Sequence, residues 1–587
     1  MCTTAGVSGI SRFLSALGAG SSEAARVAAA GVSGLAAAVT ALATREHRPI
    51  PVHVLPQSNG DHELSDTAQV ELAAKGPWSA ARLRETLRTH LKGDRVIVLA
   101  NREPCIHQRR PSGEISVQHP ASGLVTALEP VMRACSGVWV AHGSGTADRE
   151  SSDARGRLEV VSEDASYLLR RVWLNEQEEE GYYYGFSNEA LWPLCHLAHA
   201  HPIFRRSDWQ QYQRVNQRFA DAVVAEAGCE DPVVLVQDYH FALVPRMLRR
   251  RCPRATILTF WHIPWPNTER FAICPYEDEI LEGLLGSSII GFQTPQYCHN
   301  FLESVDRALE VRIGRQELDV VRQQRTTLVR PYPISIEWPS RWSSSVPDAV
   351  TCRTDVRADL SLPPDTKLVV SVDRMDYTKG MEERLLTIER TLECWPEAAG
   401  PIAFVQVAAP SRTRIERYRE FGEKVRSEVD RLNQRFGRQG YKPVVLFNRH
   451  YEPPEVFRLY RAADVCYVSS LHDGMNLVAK EFISAREDER GVLVLSRFTG
   501  AARELTEALV VNPYDLEGVA DTLRAALAMS PIEQRERMRA LRSQVAEYNV
   551  YRWAGRMLLD ATRLRQRERL QVRLAGRTPR RLTRTTA

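Results

Sequence analysis

Arg374 and Lys379 stand five residues apart, just after the apolar run 369–372. An arginine offers a planar fork of donors and a lysine a point charge, so the pair can cover the oxygens of a diphosphate. Breaking a sugar–diphosphate bond leaves negative charge on the departing oxygen. A fixed cation aimed there lowers the barrier, and one such donor is worth about 3 kcal/mol. Farther along, Leu471-His472-Asp473-Gly474-Met475-Asn476-Leu477 follows a second apolar run, 465–470, and opens a helical pattern over 477–485. The first N–H groups of such a helix lack partners and sit in the positive end of its dipole, a ready seat for phosphate. Gly474 permits a close backbone approach or a positive φ. Asp473 and Glu481 are anionic and suit hydroxyl groups rather than the phosphate itself, so the loop looks built for a nucleotide-sugar. The competing account is an ordinary strand-to-helix connection, with Asp473 as the helix cap, Glu481 solvated and the two cations on a surface loop.

Groups of this kind need strand ends to hold them, and the chain supplies a series. Residues 95–100 form an apolar strand ending in Asn101-Arg102, and 138–141 lead into His142-Gly143-Ser144-Gly145. Residues 157–174 alternate as a β-hairpin does. The strand 233–237 ends in Asp238-Tyr239-His240, 257–261 ends in His262-Ile263-Pro264, and 289–293 is a further strand. Apolar strand, polar residue, helix is the repeat of a doubly wound α/β domain with its polar groups along one rim. After the proline-rich 331–339 the pattern restarts, with strands at 369–372, 403–407 (running into Pro410-Ser411-Arg412), 444–447, 465–470 and 492–495. The predicted fold is α/β, two Rossmann-like doubly wound domains facing across a cleft. Residues 1–90 are an N-terminal extension, partly disordered or helical; 91–335 are the first domain and 336–545 the second. Residues 546–565 are a helix crossing back to the first domain, and 566–587 a basic flexible tail. The aromatic-dense stretch 182–193 is compatible both with core and with a sugar-binding wall, since rings with polar edges serve either.

At 587 residues the chain exceeds a single core. Its 43% hydrophobic and 26% charged residues are those of a globular enzyme, and a net charge of +4 does not indicate a nucleic-acid protein. Eleven cysteines are scattered singly, an odd number with no C-x-x-C pair, which argues against disulfides and zinc and for a reducing cytoplasm. No apolar run is long enough for a membrane span. The small-residue stretch 24–43 lacks a cationic start and is broken by Arg26 and Gly31, so it does not read as a signal peptide. Candidate metal ligands do not fall at zinc or calcium spacings.

Several blocks in one order carry a resemblance. They are Asn101-Arg102, Tyr183 with Phe186-Ser187-Asn188 and Leu191-Trp192-Pro193, Asp238-Tyr239-His240, and His262-Ile263-Pro264. They continue through Gly291-Phe292-Gln293-Thr294, Arg374 with Asp376-Tyr377 and Lys379-Gly380, Ser411-Arg412, Asp473 to Glu481, and Asn512-Pro513-Tyr514-Asp515. Over roughly residues 96–559 the chain resembles the trehalose-6-phosphate synthases, retaining glycosyltransferases of the two-Rossmann-domain (GT-B) class. The resemblance implies transfer of glucose from a nucleoside-diphosphate glucose, UDP-glucose foremost, to glucose-6-phosphate, giving α,α-trehalose 6-phosphate. Arg374 and Lys379 then hold the donor diphosphate and stabilise the leaving nucleotide. Asp473 binds hydroxyls of the donor glucose. Gly123 and the backbone of Gly474, Met475, Asn476 and Leu477 support the donor, and Glu481 takes the ribose. His262 lies near the reacting carbon. Tyr183, Trp192 and Asp238 line the acceptor site, where Arg102 and Arg412 bind its phosphate.

The resemblance further implies a front-face route without metal or other cofactor, in which the leaving phosphate takes the acceptor proton, and small-molecule partners only. Neither nucleic acid nor a membrane is expected, and a homo-oligomer is compatible with the sequence. Rival readings keep the fold and donor but use another phosphorylated acceptor, as in a glucosylglycerol-phosphate synthase, or couple a cyclitol, as pseudoglycosyltransferases do. A non-catalytic regulatory homologue is a third. The chain departs from the family at Ser122-Gly123-Leu124, in the longer segment 103–121, and at His472. All three are expected to touch the loop that closes over the substrates.

Overall fold

The computed structural model describes residues 77–575 apart from 92–94, 121–122, 163–164, 229–230, 396–399 and 439. The expectations for residues 1–76 and 576–587 lie outside the described residues. Short, mostly apolar runs such as Val96–Leu99, Val233–Gln237 and Val492–Ser496 are buried along their whole length, as strands covered by helices on both faces must be.

The first sheet has ten strands. Seven run parallel, in spatial order Arg325–Pro331, Ile289–Phe292, Thr256–Phe260, Val233–Gln237, Val96–Leu99, Val138–His142 and Ala165–Val172. Antiparallel strands finish both edges, including the hairpin expected over 157–174, found as Arg157–Ser162 against Ala165–Val172. The second sheet is six parallel strands, in the order Val444–Phe447, Ile402–Ala409, Lys367–Arg374, Val465–Val468, Val492–Ser496 and Leu509–Val511. These are the two Rossmann-like domains predicted. In each, the carboxyl ends of the strands deliver the polar residues.

The chain passes from the first sheet to the second through the proline-rich stretch, where Ile334 is gripped from both sides. Its N–H donates to Gln293 Oε1 at 3.0 Å, and its carbonyl accepts from the buried Lys480 Nζ at 2.9 Å. The last helix, Val550–Ala575, returns to the first domain: Trp553 meets the Phe260 ring edge-on at 5.3 Å between centroids, and Tyr332 OH donates to Asp560 Oδ2 at 2.7 Å. This helix runs ten residues past the expected end at 565, which corrects the prediction of a flexible tail from there. Arg569, in that extra stretch, pairs with Asp231 at 2.5 Å.

The aromatic stretch is a π-helix, Glu180–Leu191, which the sequence reading did not anticipate. It sends Tyr182 and Phe186 into the core while Tyr183 stays half-buried. Among the described residues no helix is long and apolar enough to cross a membrane.

Candidate active site

Strand Val465–Val468 and helix Leu477–Ala485 bracket the Asp473 turn. Asp473 Oδ2 accepts from Lys379 Nζ at 2.5 Å and from Asn476 Nδ2 at 3.3 Å. Burial alone would raise the Asp473 carboxyl, but the Lys379 ammonium holds it below the ordinary carboxylate range. The helix cap is Asn476, not Asp473. Its Oδ1 accepts from Ala479 N at 3.0 Å, and its φ of +88° supplies the left-handed step for which Gly474 had been one candidate. Gly474 serves close approach instead. A Cβ there would lie 2.2 Å from the His262 carbonyl oxygen, so the turn presses against the first domain. A Cβ on Gly123 would meet Leu477 Cδ1 at 3.1 Å, a second contact of the same kind across the cleft. Met475 is buried. Glu481, farther along the helix, is half-buried, and burial pushes its carboxyl up to about 7.

The facing loop leaves strand Lys367–Arg374 and makes a tight turn over Tyr377–Lys379. Gly380, at φ +63°, lets that turn pack on the Ser469 carbonyl, where a Cβ would stand 2.3 Å away. Arg384 buttresses both loops from behind and is almost wholly buried. It donates to Ser469 Oγ at 2.9 Å, Asp373 Oδ2 at 2.6 Å and the Lys379 carbonyl at 3.2 Å. Arg374 reaches over the Trp192 ring at 5.4 Å, with Asp376 Oδ2 at 4.0 Å. Arg412 lies on the same indole at 4.0 Å and bonds Asp376 Oδ2 at 2.8 Å. Trp192 is therefore a buried floor under two guanidinium groups. Sequence reasoning assigned no role to Asp376 or Arg384. Asp376 stood inside a quoted motif, whereas Arg384 is indistinguishable in sequence from a solvated helix arginine.

On the first domain, Arg102 donates to Tyr183 OH at 2.9 Å, and the Tyr183 ring stacks on His240 at 5.8 Å. Asp238 adopts φ +75°. Its Oδ1 accepts from Tyr239 N at 3.0 Å and from His262 N at 3.3 Å, and burial raises its carboxyl to about 7. His262 Nε2 and Gln237 Oε1 are 2.9 Å apart, while burial pushes the imidazole down to about 3, leaving it neutral. The structure thus gathers Arg374, Arg412 and Trp192; Lys379 with Asp473; Gly474 with His262 and Asp238; and Arg102 with Tyr183.

His472 also spans the two domains: its Nδ1 accepts from Leu197 N at 3.1 Å. Of the segment 103–121, expected to touch the closing loop, the described residues 103–120 are fastened to the first domain. They form the hairpin Ile106–Arg109 against Ile115–Gln118. Buried Arg171 pins that hairpin through His107 Nδ1 at 2.8 Å, and also bonds Glu103 Oε2 at 2.7 Å and Asp148 Oδ1 at 3.0 Å. Ser122 lies outside the described residues. Among the described residues, no group of three or more His, Cys, Asp or Glu is arranged to hold a metal ion.

The family model for glycosyltransferase family 20 matches residues 94–563. A trehalose-6-phosphate synthase of Mycobacterium sp. (strain KMS) is 41% identical over 473 residues, covering 79% of this chain and 94% of that protein. One from Mycolicibacterium smegmatis is 40% identical, covering 79% and 92%. Among solved structures, one from E. coli bound with UDP-2-fluoro glucose is 30% identical with a TM-score of 0.69, covering 80% of this chain and 99% of that one. An α,α-trehalose-phosphate synthase (UDP-forming) from Burkholderia xenovorans, in complex with glucose-6-phosphate, is 32% identical with a TM-score of 0.70 and the same coverage.

Proposed function

The chain belongs to glycosyltransferase family 20, and from that premise we propose that it transfers glucose from UDP-glucose to glucose-6-phosphate, giving α,α-trehalose 6-phosphate with retained anomeric configuration. The observation that carries this reading is the convergence of fixed cations on one cleft. Arg374 and Arg412 share the Trp192 floor, and Lys379 touches the Asp473 turn. That turn abuts the His262 backbone. The E. coli neighbour bound with UDP-2-fluoro glucose and the Burkholderia neighbour bound with glucose-6-phosphate support the choice of donor and acceptor.

In this reading Arg374 and Lys379 bind the diphosphate and meet the charge that develops on the leaving nucleotide. Asp473 accepts hydroxyl donors of the glucose. The backbone of Gly474 to Leu477, with Gly123 opposite, lines the donor, and Glu481 takes the ribose. Neutral His262 offers a hydrogen bond near the reacting carbon without competing as a cation. Arg102 and Arg412 take the acceptor phosphate, while Tyr183, Trp192 and Asp238 line its sugar. The attacking hydroxyl passes its proton to the departing phosphate oxygen on the same face, so the flanking carboxylate pair of a glycosidase has no part. Guanidinium and ammonium groups supply the positive charge, without a metal or other cofactor. Closure of the domains excludes water and so limits donor hydrolysis. Cysteines spread singly along the chain support a reducing, cytoplasmic setting. The substrates are small molecules, with neither nucleic acid nor membrane involved.

A coupled assay of UDP release, with product mass and anomeric NMR, tests this. Release that depends on glucose-6-phosphate, persists in EDTA and yields an α,α-linked product is expected. Absence of acceptor-dependent release rejects the proposal.

A further inference from the structure

One buried carboxylate sits among the site's cations with no part in the chemistry above. The Asp376 side chain is 0% exposed. Its Oδ1 accepts from Thr378 N at 3.0 Å and Thr378 Oγ1 at 2.9 Å, which fixes the carboxylate plane. Its Oδ2 takes Arg412 Nη1 at 2.8 Å. The same Nη1 lies 2.6 Å from Tyr418 OH, whose oxygen is 3.5 Å from Asp376 Oδ2. Arg412 leaves a backbone at φ +49°, and its guanidinium carbon lies over the Trp192 ring, 4.0 Å from the centroid. Nη1 is therefore fully committed to the protein. On the other edge, Nη2 has only Tyr239 OH at 3.4 Å, and buried Nε has no hydrogen-bond partner. Nε and Nη2 together are a donor pair spaced for two oxygens of one phosphate.

We propose that Asp376 and Tyr418 form a clamp that positions Arg412, turning its Nε–Nη2 edge to the phosphate of the acceptor. Asp376 acts through Arg412 and is a positioning residue. The inference rests on the acceptor-phosphate role assigned to Arg412 above.

Asp376→Asn keeps the side-chain shape and an acceptor for Thr378 while removing the charge. Since hydrogen bonds to charged groups are the strong ones, KM for glucose-6-phosphate is expected to rise at least about tenfold, with KM for UDP-glucose changed by less than about threefold. The deciding measurement is a double-mutant cycle with Arg412→Ala. In that background Asp376→Asn is expected to change kcat/KM by less than about twofold, because the group it acts through is gone. Independent, additive effects overturn the clamp. Should Asp376→Asn not fold, Tyr418→Phe enters the same cycle and carries the same expectation of non-additivity. Wild-type protein without glucose-6-phosphate-dependent UDP release overturns both the function and the clamp. Active wild-type protein with an additive cycle overturns the clamp alone.

Discussion

The Lys379 ammonium lies 2.5 Å from Asp473 Oδ2, joining the loop after strand Lys367–Arg374 to the turn before helix Leu477–Ala485. The cation keeps Asp473 ionised, and in the proposed reaction it also meets the leaving diphosphate. Lys379→Met is expected to lower kcat by about 100-fold or more, the loss of roughly 3 kcal/mol of transition-state stabilisation, with KM for glucose-6-phosphate nearly unchanged. A second effect has a definite sign. A carboxyl depressed in the folded state stabilises above its unfolded pKa, and that stability is lost as pH falls through the folded value. Without Lys379 this acid-side dependence should weaken, measurable as a flatter unfolding midpoint against pH below about 4. Unchanged kcat would refute the catalytic part.

Gly474→Ala tests the contact between the lobes. The added Cβ would meet a backbone oxygen at 2.2 Å, which no rotamer change relieves. If this turn holds the donor as proposed, a displacement of about 1 Å costs about 100-fold in catalysis, and kcat/KM should fall by about that much. UDP binding by calorimetry should change far less, since the turn itself remains built. Retention of full activity would mean that the contact at His262 is not part of the productive closed form.

Asp238 and Glu481 are each raised by burial to about 7. Both are assigned to accept from hydroxyls, best done as carboxylates, so kcat/KM should climb with pH and level off above about 7. Stability moves the opposite way. A carboxyl whose folded pKa is raised contributes fully below its unfolded value and loses that contribution as pH rises toward 7. Asp238→Asn should remove part of the acid limb. A pH–rate profile that is flat between about 5.5 and 8 would contradict the assignment.

Arg171 governs stability rather than turnover. Its side chain is 0% exposed and bonds two buried acids, Asp148 and Glu103, the latter's carboxyl pushed up to about 8 by burial and by the neighbouring Asp148. Arg171→Met strands Asp148, and removal of one partner from a buried ion pair costs about 3–5 kcal/mol. Chemical denaturation should register that loss. A shift below about 1 kcal/mol would contradict a buried ion pair between Arg171 and Asp148.

The central parallel strands were legible because each is a mostly apolar run ending in a polar residue, a pattern set by burial on both faces. By contrast, Ile106–Arg109, Ile115–Gln118, Arg312–Gly314, Asp319–Arg322, Arg325–Pro331 and Leu509–Val511 are too short or too polar to show it. The helix after Leu477 was found to the residue, since its apolar spacing and the turn before it agree. The π-helix was not, because its i→i+5 bonding leaves no periodicity that a 3.6-residue template detects. Arg374, Lys379 and Asp473 could be singled out by charge and spacing alone. Asp376 and Arg384 could not, as their importance lies in what they touch from behind. A positive φ was one of two alternatives read at Gly474 because glycine is the commoner choice, but Asn476 takes that step while also capping the helix.

Ile334 is held by its amide to Gln293 and by its carbonyl to Lys480. Gln293 also donates to the His262 carbonyl at 3.3 Å, and Lys480 rides on the helix that carries Glu481. A single residue therefore couples the strand end at His262 to the helix that carries Glu481, so that the two lobes share a fixed point of contact. A chimaera that borrowed one lobe from a relative would need to import this bearing as well, or its halves would turn without meshing.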